Sequence, residues 1–196
     1  MSGGISPHRR IRKRPYTRPI SLSLRTTRLH IRPFEHADWL DVYAYLSLPA
    51  VRFFIPEWPE TEEQTRDFVA KNVDEPREYA LVRRDGGALV GHVSFGPWFG
   101  PKTHELGWAV APPHQRHGYA TEAARALLSY AFETAGLHRV IATCNPKNTA
   151  SVRVMEKLHM RREAHFRRGH LQPDGRWIDE YFYALLEDEW PPTGAS

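Results

Sequence analysis

The stretch that decides the fold reads His104-Glu-Leu-Gly-Trp-Ala-Val-Ala-Pro-Pro, then His-Gln-Arg-His-Gly-Tyr-Ala-Thr-Glu-Ala, and continues to Thr134. From Glu105 to Val110, large apolar residues alternate with small or polar ones, which predicts a β-strand with two different faces. Two prolines then end the strand, since proline has no N–H for a ladder. From Ala120 to Ala135 the apolar residues recur at i, i+3 and i+4, which predicts an amphipathic helix.

The segment between this strand and helix, Gln115 to Ala120, has the character of an anion-binding turn. The first backbone N–H groups of a helix have no intrahelical partner, and the helix dipole adds partial positive charge there. Gly118 allows close approach of a phosphate, and Ala120 keeps the first turn small. An ordinary connection of an α/β protein has the same outline. The turn matches neither G-x-G-x-x-G nor G-x-x-x-x-G-K-[ST], which argues against a dinucleotide fold and against a nucleoside triphosphatase.

Three ordered motifs carry a resemblance to a known family. Gln115-x-x-Gly118-x-Ala120 is similar to the Q/R-x-x-G-x-G/A acetyl-CoA signature of the GCN5-related N-acetyltransferase (GNAT) superfamily. Together with Glu105-Leu-Gly-Trp and Asn148-Thr-Ala-Ser-Val-Arg-Val-Met-Glu-Lys-Leu, it resembles the RimJ/RimL-like branch, which acetylates the N-termini of ribosomal proteins. The similarity extends from about Leu24 to Trp190.

The pattern of elements predicts a single α/β domain with a mixed sheet. The strand at 104–110, the helix at 119–135 and a strand at 139–143 form a β-α-β crossover with parallel strands. Hairpin turns at Asp85-Gly86-Gly87 and Pro173-Asp174-Gly175 join antiparallel strands. We expect six or seven strands and about four helices, at 36–46, 61–72, 119–135 and 149–158. The resemblance implies that the two central parallel strands splay apart and that acetyl-CoA lies in the opening.

Composition agrees with one globular domain over residues 21–190, followed by a short tail at 191–196. The chain has 196 residues, 41% of them hydrophobic, without a long apolar run. The single cysteine, Cys144, excludes an internal disulfide and favours a reducing, cytoplasmic compartment. The histidines show no spacing typical of metal ligands, so we expect no metal.

The net charge of +4 comes from an N-terminal arm, residues 1–20, which holds six basic and no acidic side chains. Glycines and prolines break any helix there, and no apolar segment follows, so the arm is neither a secretory signal nor a transit peptide. It is either disordered and solvated or a weak RNA or ribosome contact. A homodimer is a further partnership that the sequence leaves open.

The resemblance implies which residues hold acetyl-CoA. In the family the pantetheine arm bonds to the backbone of the central strand, and the pyrophosphate lies on the turn and the helix start. An asparagine before the later helix touches the pantetheine. In this sequence the corresponding residues are Trp108, Ala109, Val110, Gln115, Arg116, His117, Gly118, Tyr119, Ala120, Thr121 and Asn148.

Acetyl transfer to an amine needs a neutral amine and stabilisation of an oxyanion, and a proton for the departing thiolate assists it. Glu105 is the candidate general base, directly or through water; an exposed strand carboxylate is the alternative. Ser151 is the candidate general acid implied by the branch, with a helix-surface serine as the alternative. Met155 occupies the position where other members have a tyrosine acid. Cys144 has no histidine at a motif spacing, which favours a structural thiol over an acetyl-cysteine intermediate.

Acceptor specificity in this superfamily resides in the segments outside the cofactor motifs. Candidate substrate-binding residues are Phe54, Trp58, Trp98 and Asp179, although core packing explains most of these aromatics equally well. The predicted function is an acetyl-CoA-dependent N-acetyltransferase that acts by direct transfer to a protein or peptide α-amino group. The alternatives are acetylation of a small amine (a polyamine, amino acid or antibiotic), a weakly catalytic CoA-binding regulatory module, and an RNA-associated protein acting through its arm.

Overall fold

A computed structural model describes residues 22–190, so the predicted arm at 1–20 and the tail at 191–196 lie outside the described part of the chain. The described residues form one mixed sheet of eight strands in the order β1-β2-β3-β4-β5-β6-β8-β7. The strands are β1 Leu24–Arg25, β2 Leu29–Pro33, β3 Glu78–Arg83, β4 Leu89–Pro97, β5 Thr103–Val110, β6 Arg139–Cys144, β7 Arg161–Leu171 and β8 Trp177–Leu186. The prediction of six or seven strands lacked β1, because a strand of two residues is too short to show an alternating pattern.

Five α-helices accompany the sheet: α1 Trp39–Leu46, α2 Pro49–Arg52, α3 Glu62–Asp74, α4 Tyr119–Ser129 and α5 Thr149–Lys157. The helix absent from the prediction is α2. The helix predicted at 36–46 ends at Leu46 as expected, with its first residues His36–Asp38 in a 3₁₀ turn, and Pro49 then begins a new helical turn. Proline suits that first position because the N–H it lacks would have no partner there. In the described part of the chain, no helix is long and apolar enough to cross a membrane.

The helices cover both faces of the sheet and define two apolar cores. On one face α4 and α5 pack through Leu127, Leu128 and Met155 against a large core. On the other face α1 and α3 pack a smaller core that includes Val69 and Ala109. The predicted alternation along β5 is confirmed, because Leu106 belongs to the first core and Ala109 to the second. We call the two sides of the sheet the α4 face and the α1 face.

The parallel pair at the centre of the sheet is short. Strands β5 and β6 pair only at Thr103–Arg139, His104–Val140 and Glu105–Ile141. Beyond Glu105, β5 remains paired with β4 and β6 remains paired with β8. The two central strands therefore part after Glu105 and leave an opening through the sheet, which confirms the expected splay.

The predicted helix at 119–135 is not α-helical throughout. Its last turn, Tyr130–Thr134, is a π-helix, in which the Ala135 N–H bonds to the Tyr130 carbonyl at 2.8 Å. A π turn holds one extra residue, so it rotates the side chains that follow. Phe132 packs against Trp190 with ring centroids 6.1 Å apart. A regular i, i+3, i+4 pattern does not reveal such an insertion.

The start of α3 offers a test of local stability. Thr61 accepts from the Gln64 N–H at 3.2 Å and Gln64 bonds back to the Thr61 N–H, which is the capping box that the sequence predicts. We expect Thr61→Ala to lower the free energy of unfolding by about 1 kcal/mol, since it leaves a helix N–H without its partner. Thr61→Ser, which keeps the hydroxyl, is the control. Urea unfolding measures both, and equal stability of the two variants would contradict the assignment.

Candidate active site

The opening between β5 and β6 is bordered by different groups on its two sides. On the α4 face lie the starts of α4 and α5, whose residues pack into the larger core. Glu105 lies at the point where the strands part, and its side chain shares the α1 face with Gly107 and Ala109. A ligand that passes through the opening thus meets helix starts on one side and a carboxylate on the other.

The turn before α4 has the backbone that a close ligand requires. Gly118 is the N-cap of α4 and lies in the left-handed region, with φ of 83°. Arg116 is also left-handed, with φ of 64°, and its side chain is exposed. Ala120 and Thr121 form the half-buried first turn. The N–H groups at this helix start are suited to bind an anion. Because position 118 is a glycine, no side chain there restricts access to them.

Three of the predicted cofactor-binding residues make contacts that hold the turn in shape. Gln115 donates from Nε2 to the Val110 carbonyl at 3.0 Å, so it ties the turn to the end of β5. The His117 ring lies 2.8 Å from the Gln115 carbonyl through Nδ1 and stacks on Tyr119. The Tyr119 side chain is buried in the larger core. Tyr119 can therefore offer a ligand only its backbone.

A brace that the sequence analysis did not identify supports this turn. The Glu122 carboxylate accepts from the Thr26 hydroxyl at 2.6 Å, from the Arg28 N–H at 2.9 Å and from the Arg28 guanidinium at 2.7 Å. The same guanidinium donates to the His117 carbonyl at 2.9 Å. Burial alone would raise the pKa of Glu122, but these hydrogen bonds outweigh it and lower the pKa. Glu122 was assigned only to the polar helix face, because the partners lie 94 or more residues away.

At the start of α5, Asn148 and Ser151 are next to each other. The Asn148 Oδ1 atom accepts from the Ser151 N–H at 3.1 Å, which makes Asn148 the N-cap of the helix. The amide nitrogen of Asn148 is a donor that this cap does not use. Ser151 is half-buried on the first turn, where the helix dipole adds partial positive charge. His159, two residues after this helix, adopts the left-handed conformation, with φ of 60°.

Glu105 has the environment of a proton acceptor. It is half-buried, and the Thr143 hydroxyl lies 3.4 Å from its Oε1 atom. Burial raises the pKa of Glu105, the Thr143 hydrogen bond opposes this, and the charge of Glu180 raises it further. A carboxylate whose pKa is raised towards neutrality is a stronger base than an exposed one.

The predicted substrate-binding residues do not form one pocket. Trp98 packs on Phe182 with centroids 5.3 Å apart, and Trp58 packs on His92 at 4.8 Å. Phe54 contacts its neighbour Phe53. Trp58 packs against the smaller core of the α1 face, and Phe182 belongs to a third, small cluster with Ile141 and Ala184 on the same face, the face of Glu105. Phe54 belongs to none of these clusters.

Asp179 has a structural role that the prediction missed. Its Oδ2 atom lies 2.7 Å from the His165 ring, and its Oδ1 atom accepts from the Arg168 N–H at 2.9 Å. The Arg168 hydrogen bond, followed by that of His165, lowers the pKa of Asp179. Both oxygens thus secure the irregular pairing of β7 with β8, where the register shifts. Its neighbour Glu180, one residue on and therefore on the other face, is the group that acts on Glu105.

The remaining candidate nucleophile, Cys144, lies half-buried at the end of β6. Burial, and then the charge of Glu180, raises the pKa of its thiol to about 12. A thiol with this pKa stays protonated and is a poor nucleophile at neutral pH. Within residues 22–190 no group of histidine, cysteine and acidic side chains is arranged to hold a metal ion.

Two buried polar residues beside Glu105 were also missed. Glu78 begins β3 and His92 lies within β4, both on the α1 face. Their signal in the sequence is a charged or polar residue next to a run of apolar strand residues. In isolation such a residue cannot be distinguished from one on a solvated strand face.

Comparison with known proteins fits this arrangement. A family model described as an acetyltransferase (GNAT) domain matches residues 28–161. The chain belongs to the GNAT acetyltransferase family. The uncharacterized N-acetyltransferase YnaD of Bacillus subtilis (strain 168) is 46% identical over 170 residues, which are 86% of this chain and 99% of that protein. The crystal structure of a GNAT-family acetyltransferase from Bacillus anthracis is 45% identical, with a TM-score of 0.82 over 86% of this chain and 100% of that one.

A relative with a stated acceptor is more distant. The [ribosomal protein uS5]-alanine N-acetyltransferase of Escherichia coli (strain K12) is 30% identical over 116 residues, which are 58% of this chain and 59% of that protein. This GNAT chain is therefore an N-acetyltransferase, and its acceptor must be argued from its own residues.

GNAT enzymes use acetyl-CoA, and the site described above suits it. Gly118 adopts a φ of 83° without strain, and a Cβ at this position would lie 3.5 Å from the Arg28 guanidinium, so the glycine leaves the space between the helix start and Arg28 open to a pyrophosphate. Beyond Glu105, the side of β5 that faces away from β4 has no paired strand at Trp108, Ala109 and Val110. Successive residues of a strand direct their backbone groups to opposite edges, and the Ala109 carbonyl faces Gly91 of β4. An extended pantetheine arm could therefore meet the Trp108 backbone and the Val110 N–H, whereas the Val110 carbonyl is occupied by Gln115.

The α4 start allows a test with a matched control. Gly118 and Gly136 both have positive φ, 83° and 58°, and they lie at opposite ends of the same helical segment. We expect Gly118→Glu and Gly136→Glu each to lose about 1–2 kcal/mol of stability through backbone strain. Only Gly118→Glu should abolish acetyl-CoA binding, because it fills the phosphate site and adds negative charge. Calorimetric titration measures this, and equal affinity of the two variants would move the cofactor site elsewhere.

Proposed function

We propose that this GNAT enzyme transfers the acetyl group of acetyl-CoA directly to the α-amino group of a protein or peptide. Acetyl-CoA supplies the acetyl thioester. The observation that carries the proposal is the position of Glu105, which lies where β5 and β6 part and on the face opposite the helix starts. In this arrangement the cofactor side and the acceptor side meet only through the opening.

On the acceptor side, Glu105 takes the proton that the amine must lose. An α-amino group has a pKa near 7.7–8.0, against about 10.4 for lysine, so a carboxylate of raised pKa is a sufficient base. Thr143, 3.4 Å away, orients the carboxylate. The proton moves to Glu105 directly or through one water molecule.

On the cofactor side, Ser151 donates a hydrogen bond to the departing sulfur. Asn148 fixes the first turn of α5 through the Ser151 N–H and so sets the direction of the serine side chain. A thiol has a pKa near 8.5, so its anion leaves readily, and a hydroxyl donor is a sufficient acid. Backbone N–H groups near Val110 are the proposed oxyanion donors.

A groove next to the end of β6 indicates the class of acceptor. It has a volume of about 260 Å³ and runs from the residues after Cys144 to the β7–β8 hairpin. Its lining residues are Phe53, Asn145, Pro146, Lys147, Gln172, Arg176, Trp177, Ile178 and Asp179. The groove begins at Asn145, two residues beyond Thr143, and a groove of this kind suits an extended peptide better than a compact small molecule. The similarity to the uS5-alanine acetyltransferase supports the same class.

We place the enzyme in the cytoplasm, where acetyl-CoA and nascent N-termini are available. A ribosome contact through the basic arm, residues 1–20, would bring it to such acceptors, and that part of the proposal rests on charge alone. A homodimer is compatible with it and is not required by the chemistry.

An acceptor screen tests the proposed function. Release of CoA thiol from acetyl-CoA is followed with peptides that have free α-amino groups, with the same peptides N-terminally blocked, with polyamines and with aminoglycosides. We expect turnover on free N-terminal peptides only. Turnover confined to polyamines or aminoglycosides would establish the small-amine alternative and overturn the proposed acceptor.

The role of Ser151 makes a separate prediction. Ser151→Ala should lower kcat roughly tenfold to a hundredfold, because the sulfur loses its donor, while the Kd of acetyl-CoA stays unchanged. Thr149→Ala removes an exposed hydroxyl from the first turn of the same helix and serves as the control, with kcat unaffected. Steady-state kinetics with calorimetry separates the two effects. Wild-type turnover in Ser151→Ala would remove the serine from the mechanism.

A further inference from the structure

On the same face of the sheet as Glu105, but on β3 with β4 between them, the structure holds a second carboxyl group, that of Glu78. In the sheet register Glu78 is opposite Ser94, and Ser94 is opposite Gly107, which is two residues along β5 from Glu105. Residues two apart on a strand share a face, so both carboxyls lie on the α1 face. Gly107 has no side chain, and the Ser94 hydroxyl occupies the space where its Cβ would be, at 2.3 Å. The surface between the two carboxyl groups therefore carries only the small side chain of Ser94 and is polar.

The Glu78 side chain is fixed and largely buried. Its backbone N–H bonds to the Asn72 Oδ1 atom at 3.0 Å, and its side chain is only 16% exposed. The Oε2 atom is buried and has no hydrogen-bond partner. Buried carboxyl oxygens in folded proteins are almost always bonded, but the donor that faces this one, the His92 Nε2 atom, is 3.7 Å away, beyond hydrogen-bonding distance. The carboxyl group therefore keeps acceptor capacity that the described residues do not use.

A buried histidine lies behind this carboxyl. His92, with a side chain 1% exposed, has its Nδ1 atom 2.5 Å from the Tyr45 hydroxyl, and its Nε2 atom lies 3.7 Å from Glu78 Oε2. Burial lowers the pKa of His92 to about 3, so the ring is neutral. Burial also raises the pKa of Tyr45, so its hydroxyl keeps its proton and can donate to Nδ1. Nε2 then carries a hydrogen and is directed at Glu78, as a donor without a partner of its own.

We propose that Glu78, positioned by His92 and Tyr45, forms with Glu105 the recognition site for a primary ammonium group. A primary ammonium has three N–H donors, and a buried, unused carboxyl oxygen beside a second carboxylate provides acceptors for them. The charge of Glu180 reaches Glu105 from β8 and adds to the attraction. This proposal names a recognition site for the acceptor of the proposed function. It rests on the proposed function in one respect, namely that the bound amine is the one that is acetylated.

The charged groups around Glu78 determine how its binding depends on pH. Burial, and then the charge of Glu105, raises the pKa of Glu78 to about 8. The other titratable groups on this side are His92, Tyr45 and Glu180, and the Arg77 side chain lies over Gly96 on the same face, 4.0 Å from its Cβ position. Glu78 is thus mostly protonated at pH 7, and a bound cation should favour its carboxylate. Ammonium binding near neutral pH should therefore release a proton.

The same pKa affects stability. A carboxyl whose pKa is about 8 in the folded chain and 4.5 in the unfolded chain binds more protons when folded, so its contribution to stability falls as the pH rises from about 4.5 to 8. Glu78→Gln has the shape of the protonated carboxyl and does not ionise. We expect this variant to fold and to be at least as stable as the wild type at pH 9.

The test uses n-butylammonium, whose pKa is close to that of lysine at about 10.4, with CoA present instead of acetyl-CoA so that nothing turns over. At pH 9 we expect Glu78→Gln to bind it roughly tenfold or more weakly than the wild type, while at pH 6 the two should bind equally. At pH 7.5, calorimetry in buffers of different ionisation enthalpy should show proton release for the wild type and almost none for Glu78→Gln. Glu63→Gln, on the exposed side of α3, is the matched control and should behave as the wild type.

Equal weakening of Glu78→Gln at pH 6 and pH 9 would mean a purely structural role and would overturn the proposal. Absence of butylammonium binding by the wild type at pH 9 would also overturn it. Since no acetyl group is present, the result is independent of the acceptor screen. Ammonium binding without turnover on any amine would refute the proposed function and leave this site standing.

Discussion

The structure depends on one interruption of a hydrogen-bonded ladder. Two parallel strands at the centre of a sheet ordinarily satisfy each other's backbone along their whole length, but β5 and β6 do so for three residue pairs only. Each strand then relies on its other neighbour, β4 or β8. The groups released on the inner edges need partners, because unpaired backbone N–H and C=O groups away from water are costly. An extended ligand with its own amide groups, such as a pantetheine arm, supplies them.

The surrounding elements follow from this opening. Gln115 closes one end of it by taking the Val110 carbonyl, and the Arg28–Glu122 brace holds the adjoining turn against the helix. On the far face the carboxyls lie where apolar residues would otherwise be, and burial raises the pKa of both Glu78 and Glu105. The sheet thus separates the starts of α4 and α5 on one side from the carboxyl groups of Glu78 and Glu105 on the other. That separation suits the joining of an anionic cofactor to a cationic acceptor.

Local patterns in the sequence were sufficient to predict most of the fold. The alternation along β5, the amphipathic period of α4 and the capping box at Thr61 are properties of neighbouring residues, and each was confirmed. The predictions that were wrong, or incomplete, concern features without a local signature. Strand β1 has two residues, α2 has four, and the π turn after Ser129 adds one residue to a pattern that continues on either side.

The same distinction explains the site. The spacing of the three sequence motifs predicted that Glu105, Gly118, Asn148 and Ser151 lie around the opening. It could do so because two of these motifs contain the starts of α4 and α5. It did not predict the brace or the Glu78–His92 pair, whose partners come from separate strands and become neighbours only through sheet register. Asp179 was assigned to the substrate for its charge alone, and its hydrogen bonds to Arg168 and His165 of β7 are a further role that spacing does not predict.

The central claim is that acetyl-CoA occupies the parting of β5 and β6. Hydrogen exchange followed by mass spectrometry, with and without saturating acetyl-CoA, tests it most directly. We predict slower exchange in the peptides that contain residues 107–110, 118–121 and the start of α5, with β1 to β3 unchanged. Protection confined to other segments, or no protection at saturation, would contradict it.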